Sequence, residues 1–303
     1  TEANAEMLEG LQGGLTAVQL NIEKVLSYSD LERLFEQVET DFISTHFSFS
    51  GNPLDLFRSF EELLKNRGKA FADTNGSLCF DPFENEMGSI DLAQTLLNDY
   101  ATDFTAFKFI QLQTPAFTGI ENSSSDLAQV LAKASDLFSK MDKEGIAPAT
   151  TARHLKLSLS VGTNFFVEMA KLRALNLLWA NLLAAYKIDN QKPEIEVHFA
   201  ENCQKEDGNY NMIQASTQAM AAVLGGAHRL YVPPSGSEKG EISFQNRIAR
   251  NVQHILKMES YLDRVVDPAD GSYYIEKLTE QLAKAAWTKF REIESKGGYE
   301  KVF

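Results

Sequence analysis

Along the whole chain, short runs rich in β-branched and aromatic residues alternate with longer segments whose apolar positions recur at helical spacing, and no low-complexity linker interrupts them. The runs that read as strands are Leu15–Ile22, Phe42–Phe49, Ser77–Phe80, Ala106–Gln113, Leu155–Val161, Glu194–Phe199 and His228–Val232, with Arg264–Val266 as a brief eighth. Between them, Leu31, Leu34, Phe35 and Val38 mark one helical face, and Leu127, Val130, Leu131, Ala134 and Leu137 mark another. Strand-then-helix alternation implies parallel strands joined by crossover helices, and eight such units in about 300 residues match a closed (β/α)8 barrel. The expectation is a single barrel domain over residues 1–303, its strands and crossover helices between about residues 10 and 275. A final amphipathic helix at about 279–296, with Leu282, Ala285, Ala286, Phe290 and Ile293 on one side, should pack outside it.

Local punctuation supports that division. Ser123-Ser124-Ser125 before Asp126 reads as an N-terminal capping cluster, and Pro148 and Gly225-Gly226 read as helix ends where the chain turns back toward a strand. Asp267-Pro268-Ala269-Asp270-Gly271-Ser272 has the composition of a turn.

Composition narrows the function classes. A net charge of −13 argues against a phosphate-neutralising surface, so nucleic acid is not expected as a partner. The most apolar stretch, Phe165 to Tyr186, is broken by Glu168, Lys171, Arg173 and Asn176, which argues against a membrane span. Cys79 and Cys203 are the only cysteines and are far apart, which suits a reducing compartment, with the cytoplasm or an organelle matrix as the default.

In such a barrel, function belongs at the C-terminal ends of the strands. No Gly-x-Ser-x-Gly elbow and no His-Glu-x-x-His pair is present, so neither nucleophilic nor metal catalysis has a signature. Of the histidines His46, His154, His198, His228 and His254, most read as structural or surface groups. His198, at the end of the alternating run from Glu194 to Phe199, stays open between a ligand contact and a plain hydrogen-bonded role.

Several long motifs carry a resemblance. Asn164 to Ala174, continuing to Leu178-Trp179-Ala180, then Tyr210-Asn211, Ala219 to Ala222, Gly225-Gly226, Arg247 to Asn251, and Val266 to Glu276 follow in one order. In that order the chain resembles the methylmalonyl-CoA mutase family, densely from about Leu157 to Tyr299 and faintly before residue 150. The resemblance implies a (β/α)8 barrel that threads a CoA ester along its axis beside a cobalamin-binding domain. It also implies adenosylcobalamin-dependent radical isomerisation of methylmalonyl-CoA and succinyl-CoA.

Against the family's active members the strand ends differ. Their Gly-Tyr-His-Met-Gln-Glu aligns with Phe117-Thr118-Gly119-Ile120-Glu121-Asn122, so the Tyr and His that contact substrate are missing. Cys79 to Glu84 replaces a Thr-Ile-Gln-Asn-Asp segment, His154-Leu155-Lys156 replaces an Arg-x-Ser, and His228 replaces a Gln. Only His198 falls on a substrate-contacting His of the active subunits, and Ala200 stands where those carry a Gln. This pattern is similar to the family's small, non-catalytic subunits. It implies a heterodimer with a large catalytic subunit and no catalytic residues of its own. An acyl-CoA is the candidate ligand, with His198, His228 and Thr118 as candidate contacts. The cobalamin motif Asp-x-His-x-x-Gly is absent from this stretch, which implies that adenosylcobalamin is held by another domain or by the partner. Two alternatives stand beside this reading: an active mutase for another substrate, and a stand-alone acyl-CoA-binding barrel whose mouth Phe80, Phe83 and Phe117 either fill or line.

Overall fold

A computed structural model describes residues 2–24, 26–49, 51–84, 90–114, 120–189, 191–235 and 242–303. In chain order its elements begin α1 (Glu2–Gln12), β1 (Ala17–Ile22), α2 (Tyr28–Leu34), β2 (Ser44–Phe49), α3 (Pro53–Asn66), β3 (Gly76–Leu78), α4 (Ile90–Tyr100) and β4 (Ile110–Gln113). They continue with α5 (Ile120–Lys143), α6 (Pro148–Arg153), β5 (Leu155–Val161), α7 (Phe165–Ala185), β6 (Glu194–Phe199) and α8 (Gly208–Leu224). The last are β7 (Arg229–Leu230), α9 (Ile242–His254), α10 (Tyr273–Ser295) and α11 (Tyr299–Val302). Every register given within β1–β2–β3 and within β5–β6–β7 is parallel. The fold class is therefore α/β, with the strand–helix alternation of a (β/α)8 barrel.

The chain divides into two compact units. The first holds Thr1–Leu112 and Leu137–Leu155. Its sheet runs β1-β2-β3, with Gln19 opposite His46 and His46 opposite Ser77. Its core is aromatic. Phe57 on α3 meets Phe104 at 4.9 Å and Phe109 at 5.1 Å between ring centroids, both edge-on, the arrangement that ring quadrupoles favour. The sequence starts α3 cleanly. Asn52 Oδ1 accepts the Leu54 N–H at 2.9 Å, Pro53 occupies the first turn, and Leu56, Phe57, Phe60, Leu63 and Leu64 form the buried stripe. Two histidines are structural here. His46 Nδ1 lies 2.7 Å from Ser77 Oγ, and His154 Nδ1 donates to the Phe107 carbonyl at 2.7 Å.

The second unit holds Gln113–Asp136 and Lys156–Phe303. Its sheet runs β5-β6-β7, and α10 packs along α7, whose Leu172, Leu175, Leu178, Trp179 and Leu182 are buried. Gly225 ends α8 and Gly226 takes φ +91°, so the glycine pair is a turn. Asp267–Ser272 is also a turn, with Gly271 at φ +77° and the Asp270 N–H donating to the Asp267 carbonyl at 3.2 Å.

Several expected elements come out differently. Arg264–Val266 forms bends rather than a strand: Val265 and Val266 both face solvent, the latter 95% exposed, so the run has no face to bury. Ser123–Ser125 lie inside α5 rather than capping it, because the helix already runs from Ile120. Pro148 opens α6 instead of closing a helix, a position where its missing N–H costs nothing. The last long helix begins at Tyr273, and Ala285 is on its exposed side.

Candidate substrate-facing site

β5 and β6 place polar and apolar residues on opposite faces, because successive side chains along a strand alternate. Leu155, Leu157, Leu159 and Val161 point one way, as do Ile195, Val197 and Phe199, and all are buried. Lys156, Ser158 and Ser160 point the other way, level with Glu194, Glu196 and His198 in the parallel register. A sheet strip this polar is held by its own cross-strand contacts. Lys156 Nζ donates to Glu196 Oε2 at 2.7 Å, with the lysine wholly buried and the glutamate 12% exposed. Arg229 Nε at the start of β7 reaches Glu194 Oε1 at 2.7 Å.

His198 sits near the C-terminal end of this strip, half-buried, with Nδ1 3.3 Å from Ser158 Oγ. Its imidazole is thus oriented by a neighbouring strand at the end where barrel chemistry is expected. Below it, Lys171 on α7 donates to the Ser160 carbonyl at 2.7 Å and pairs with Glu168 at 2.5 Å, both side chains fully buried. Gln218 on α8 donates to the Val161 carbonyl at 3.0 Å, closing the same strand end.

The other candidate contacts do not gather around His198. His228 precedes β7, is exposed, and its Nδ1 accepts the Ile195 N–H at 3.3 Å, while its own N–H donates to the Ile195 carbonyl at 2.9 Å. Since Val197 pairs with Leu230, His228 lies level with Ile195, at the opposite end of the strip from His198. Thr118 and Phe117 lie outside the described residues. In the first unit, Phe80 is buried and Phe83 is half-buried, with Lys140 Nζ 5.8 Å from its ring centroid.

Three features are not legible as sites in the sequence. Arg173 bonds both Asp267 and Glu276, joining two separated motifs through one guanidinium. The Glu168–Lys171 pair is a buried i,i+3 couple in a largely apolar helix that Arg173, Asn176 and Asn181 also interrupt, so its spacing alone does not single it out. Asp126 on α5 is buried beside them, and burial pushes its carboxyl up to about 7. Among the described residues, no group of His, Cys, Asp and Glu is arranged to hold a metal ion, and no helix is long and apolar enough to cross a membrane.

Comparison with known proteins gives the family. The chain is 28% identical to a methylmalonyl-CoA mutase small subunit of Porphyromonas gingivalis, across 98% of this chain and 51% of that protein. It is 27% identical to the methylmalonyl-CoA mutase small subunit of Streptomyces virginiae, across 97% of this chain and 50% of that one. To the large subunit of the same organism it is 34% identical over 57% of this chain and 24% of that protein. The chain thus spans about half the length of the small subunits it matches. The family model for methylmalonyl-CoA mutase matches residues 23–303, reaching well into the half where the motifs are faint. Matched by that model over residues 23–303, the chain belongs to the methylmalonyl-CoA mutase family.

Proposed function

We propose that this chain supplies the barrel of a small, non-catalytic subunit that partners a large catalytic subunit in an adenosylcobalamin-dependent methylmalonyl-CoA mutase. In this reading residues 1–303 make one barrel domain, and α10 packs on its outside. The observation that carries it is the likeness to proteins named small subunit along nearly the whole chain. The polar strip supports the absence of turnover. Lys156 is already neutralised by Glu196 and Arg229 by Glu194, so these cations are committed within the protein rather than offered to an acyl carboxylate. The missing Tyr-His pair removes donors for a reacting thioester carbonyl, each worth on the order of 3 kcal/mol of transition-state stabilisation.

Three of the histidines are already engaged within the protein. His46 and His154 are buried and bonded through Nδ1, His198 faces Ser158, and none follows an Asp-x pattern. In this reading the corrin is held by another domain or by the partner, in the cytoplasm.

A second reading, an acyl-CoA-binding barrel, is favoured by one feature: the half-buried imidazole of His198 at the end of a polar strip. Reconstitution separates the two. Full-length protein mixed with the large subunit should co-elute in size-exclusion chromatography, and His198→Ala should leave turnover of the complex within about twofold of the parent, since a group outside the transition state contributes nothing to kcat/KM. A large fall in turnover with the complex intact would overturn the non-catalytic reading, as would turnover by the full-length small subunit alone.

A further inference from the structure

The strongest group that this function leaves unused lies where α5, α7 and α10 of the second unit meet. Asp126 on α5 is 1% exposed, and among the described residues neither of its carboxylate oxygens has a hydrogen-bond partner. An anion in that position loses its hydration and gains no donor in return, so the neutral acid is the favoured form. The charged groups bearing on it are Glu168 and Lys171 from α7 and Lys289 from α10. Both cations bond elsewhere. Lys171 holds Glu168 and the Ser160 carbonyl, and Lys289 Nζ donates to the hydroxyl oxygens of Ser124 and Ser125 at 2.8 and 2.7 Å. The Cys203 thiol bears on Glu168 and Lys171 from the loop after β6.

The same α5–α10 seam continues toward the end of the chain. Ser135 Oγ donates to Glu294 Oε2 at 3.2 Å, and Asp136 Oδ2 accepts the Glu300 N–H at 3.2 Å. Gly298 sits so close to Asp136 that a Cβ there would lie 2.2 Å from Oδ1. Lys289 and Glu294 thus seat α10 on α5 at two levels, Gly298 and Glu300 add a contact just beyond it, and the innermost level contains an acid with no donor among the described residues.

We propose that this seam is a proton-dependent latch: Asp126 carries a proton while α10 is seated on α5, and releasing that proton to solvent loosens α10. The inference goes beyond the proposed function and does not depend on it. Burial holds the Asp126 carboxyl at about 7, and burial also raises Glu294, with Asp136 adding in the same direction. The direction follows from linkage. The seated form binds the proton more tightly than an opened form with an ordinary carboxyl, so seating weakens as pH rises toward about 7 and levels off above it.

Hydrogen exchange of the α10 amides in the full-length protein, corrected for intrinsic rates, tests this between pH 5 and 9. Protection should fall roughly tenfold between pH 6 and 8 in the parent, as one proton lost at about 7 requires, and stay nearly level in Asp126→Asn. Glu294→Gln should keep most of the fall. An equal fall in Asp126→Asn, or level protection in the parent, would overturn the latch. Infrared spectra of the parent alone give a second reading: a protonated-carboxyl band at pH 6 that fades by pH 9 is expected, and its absence at pH 6 would refute the proposal.

Discussion

Lys156 and Glu196 form a 2.7 Å ion pair across β5 and β6, with the lysine wholly out of solvent. Their register partners are offset: Ser158 stands opposite Glu196, and Lys156 opposite Glu194. The pair is therefore a diagonal brace that ties the two strands along their length. Removing one partner leaves the other charge buried without its counterion, which costs about 3–5 kcal/mol, whereas replacing both with apolar residues is often nearly neutral.

Glu196→Gln should accordingly destabilise the protein by about 3 kcal/mol, more than Lys156→Met/Glu196→Leu together. Urea denaturation of the three proteins checks this. A double variant as unstable as Glu196→Gln would show that the pair itself, and not the stranded lysine, matters.

Arg173 makes the tertiary link between α7, the Asp267 turn and the first turn of α10. Its partners are about two-fifths exposed, so solvent screens them, and Arg173→Ala should cost only about 1–2 kcal/mol. Arg173→Lys should recover little of that, since an ammonium lacks the fork that reaches two carboxylates at once. Thermal melts, with proteolysis at the 267–271 turn as the local readout, distinguish these outcomes.

Gly76 opens β3 where a Cβ would lie 2.1 Å from the Thr45 carbonyl oxygen and 2.7 Å from the Phe107 ring. The first obstacle is backbone of the paired strand and cannot swing aside. Gly76→Ala should therefore cost about 3 kcal/mol or more. A melting temperature close to the parent's would show that β2 and β3 separate at this point without loss.

His154 is 1% exposed, and burial, partly offset by its bond to the Phe107 carbonyl, lowers its pKa. The folded protein then resists protonation that the unfolded chain accepts. Stability attributable to this ring is complete above about 6.5 and falls as pH drops through that value, by up to about 1.4 kcal/mol per unit until the folded pKa is reached. Denaturation of the parent and of His154→Gln at pH 7 and pH 5 checks this: Asp126 contributes with the opposite sign in both proteins, so the parent should lose more stability, or gain less, on acidification than His154→Gln.

Strand–helix alternation, the bounds of β5 and β6, the glycine turn after α8 and the Asp267 turn are all written locally: period, β-branched runs and Gly or Pro at fixed offsets act over a few residues. Family membership is legible too, because its motifs are long and ordered. Other features depend on what lies across space. β7 shrinks to Arg229–Leu230 and Arg264–Val266 forms no strand, since a strand exists only where a neighbour accepts its backbone bonds. His228 and His198 are equally plausible as letters, but the β6–β7 register sets them at opposite ends of the strip. Asp126 follows three serines like a helix-capping residue, and only the packing of α7 around Glu168 and of α10 around Lys289, distant positions along the chain, turns it into a buried acid. Burial and charge pairing are properties of neighbours distant in sequence, so the tertiary structure alone decided them.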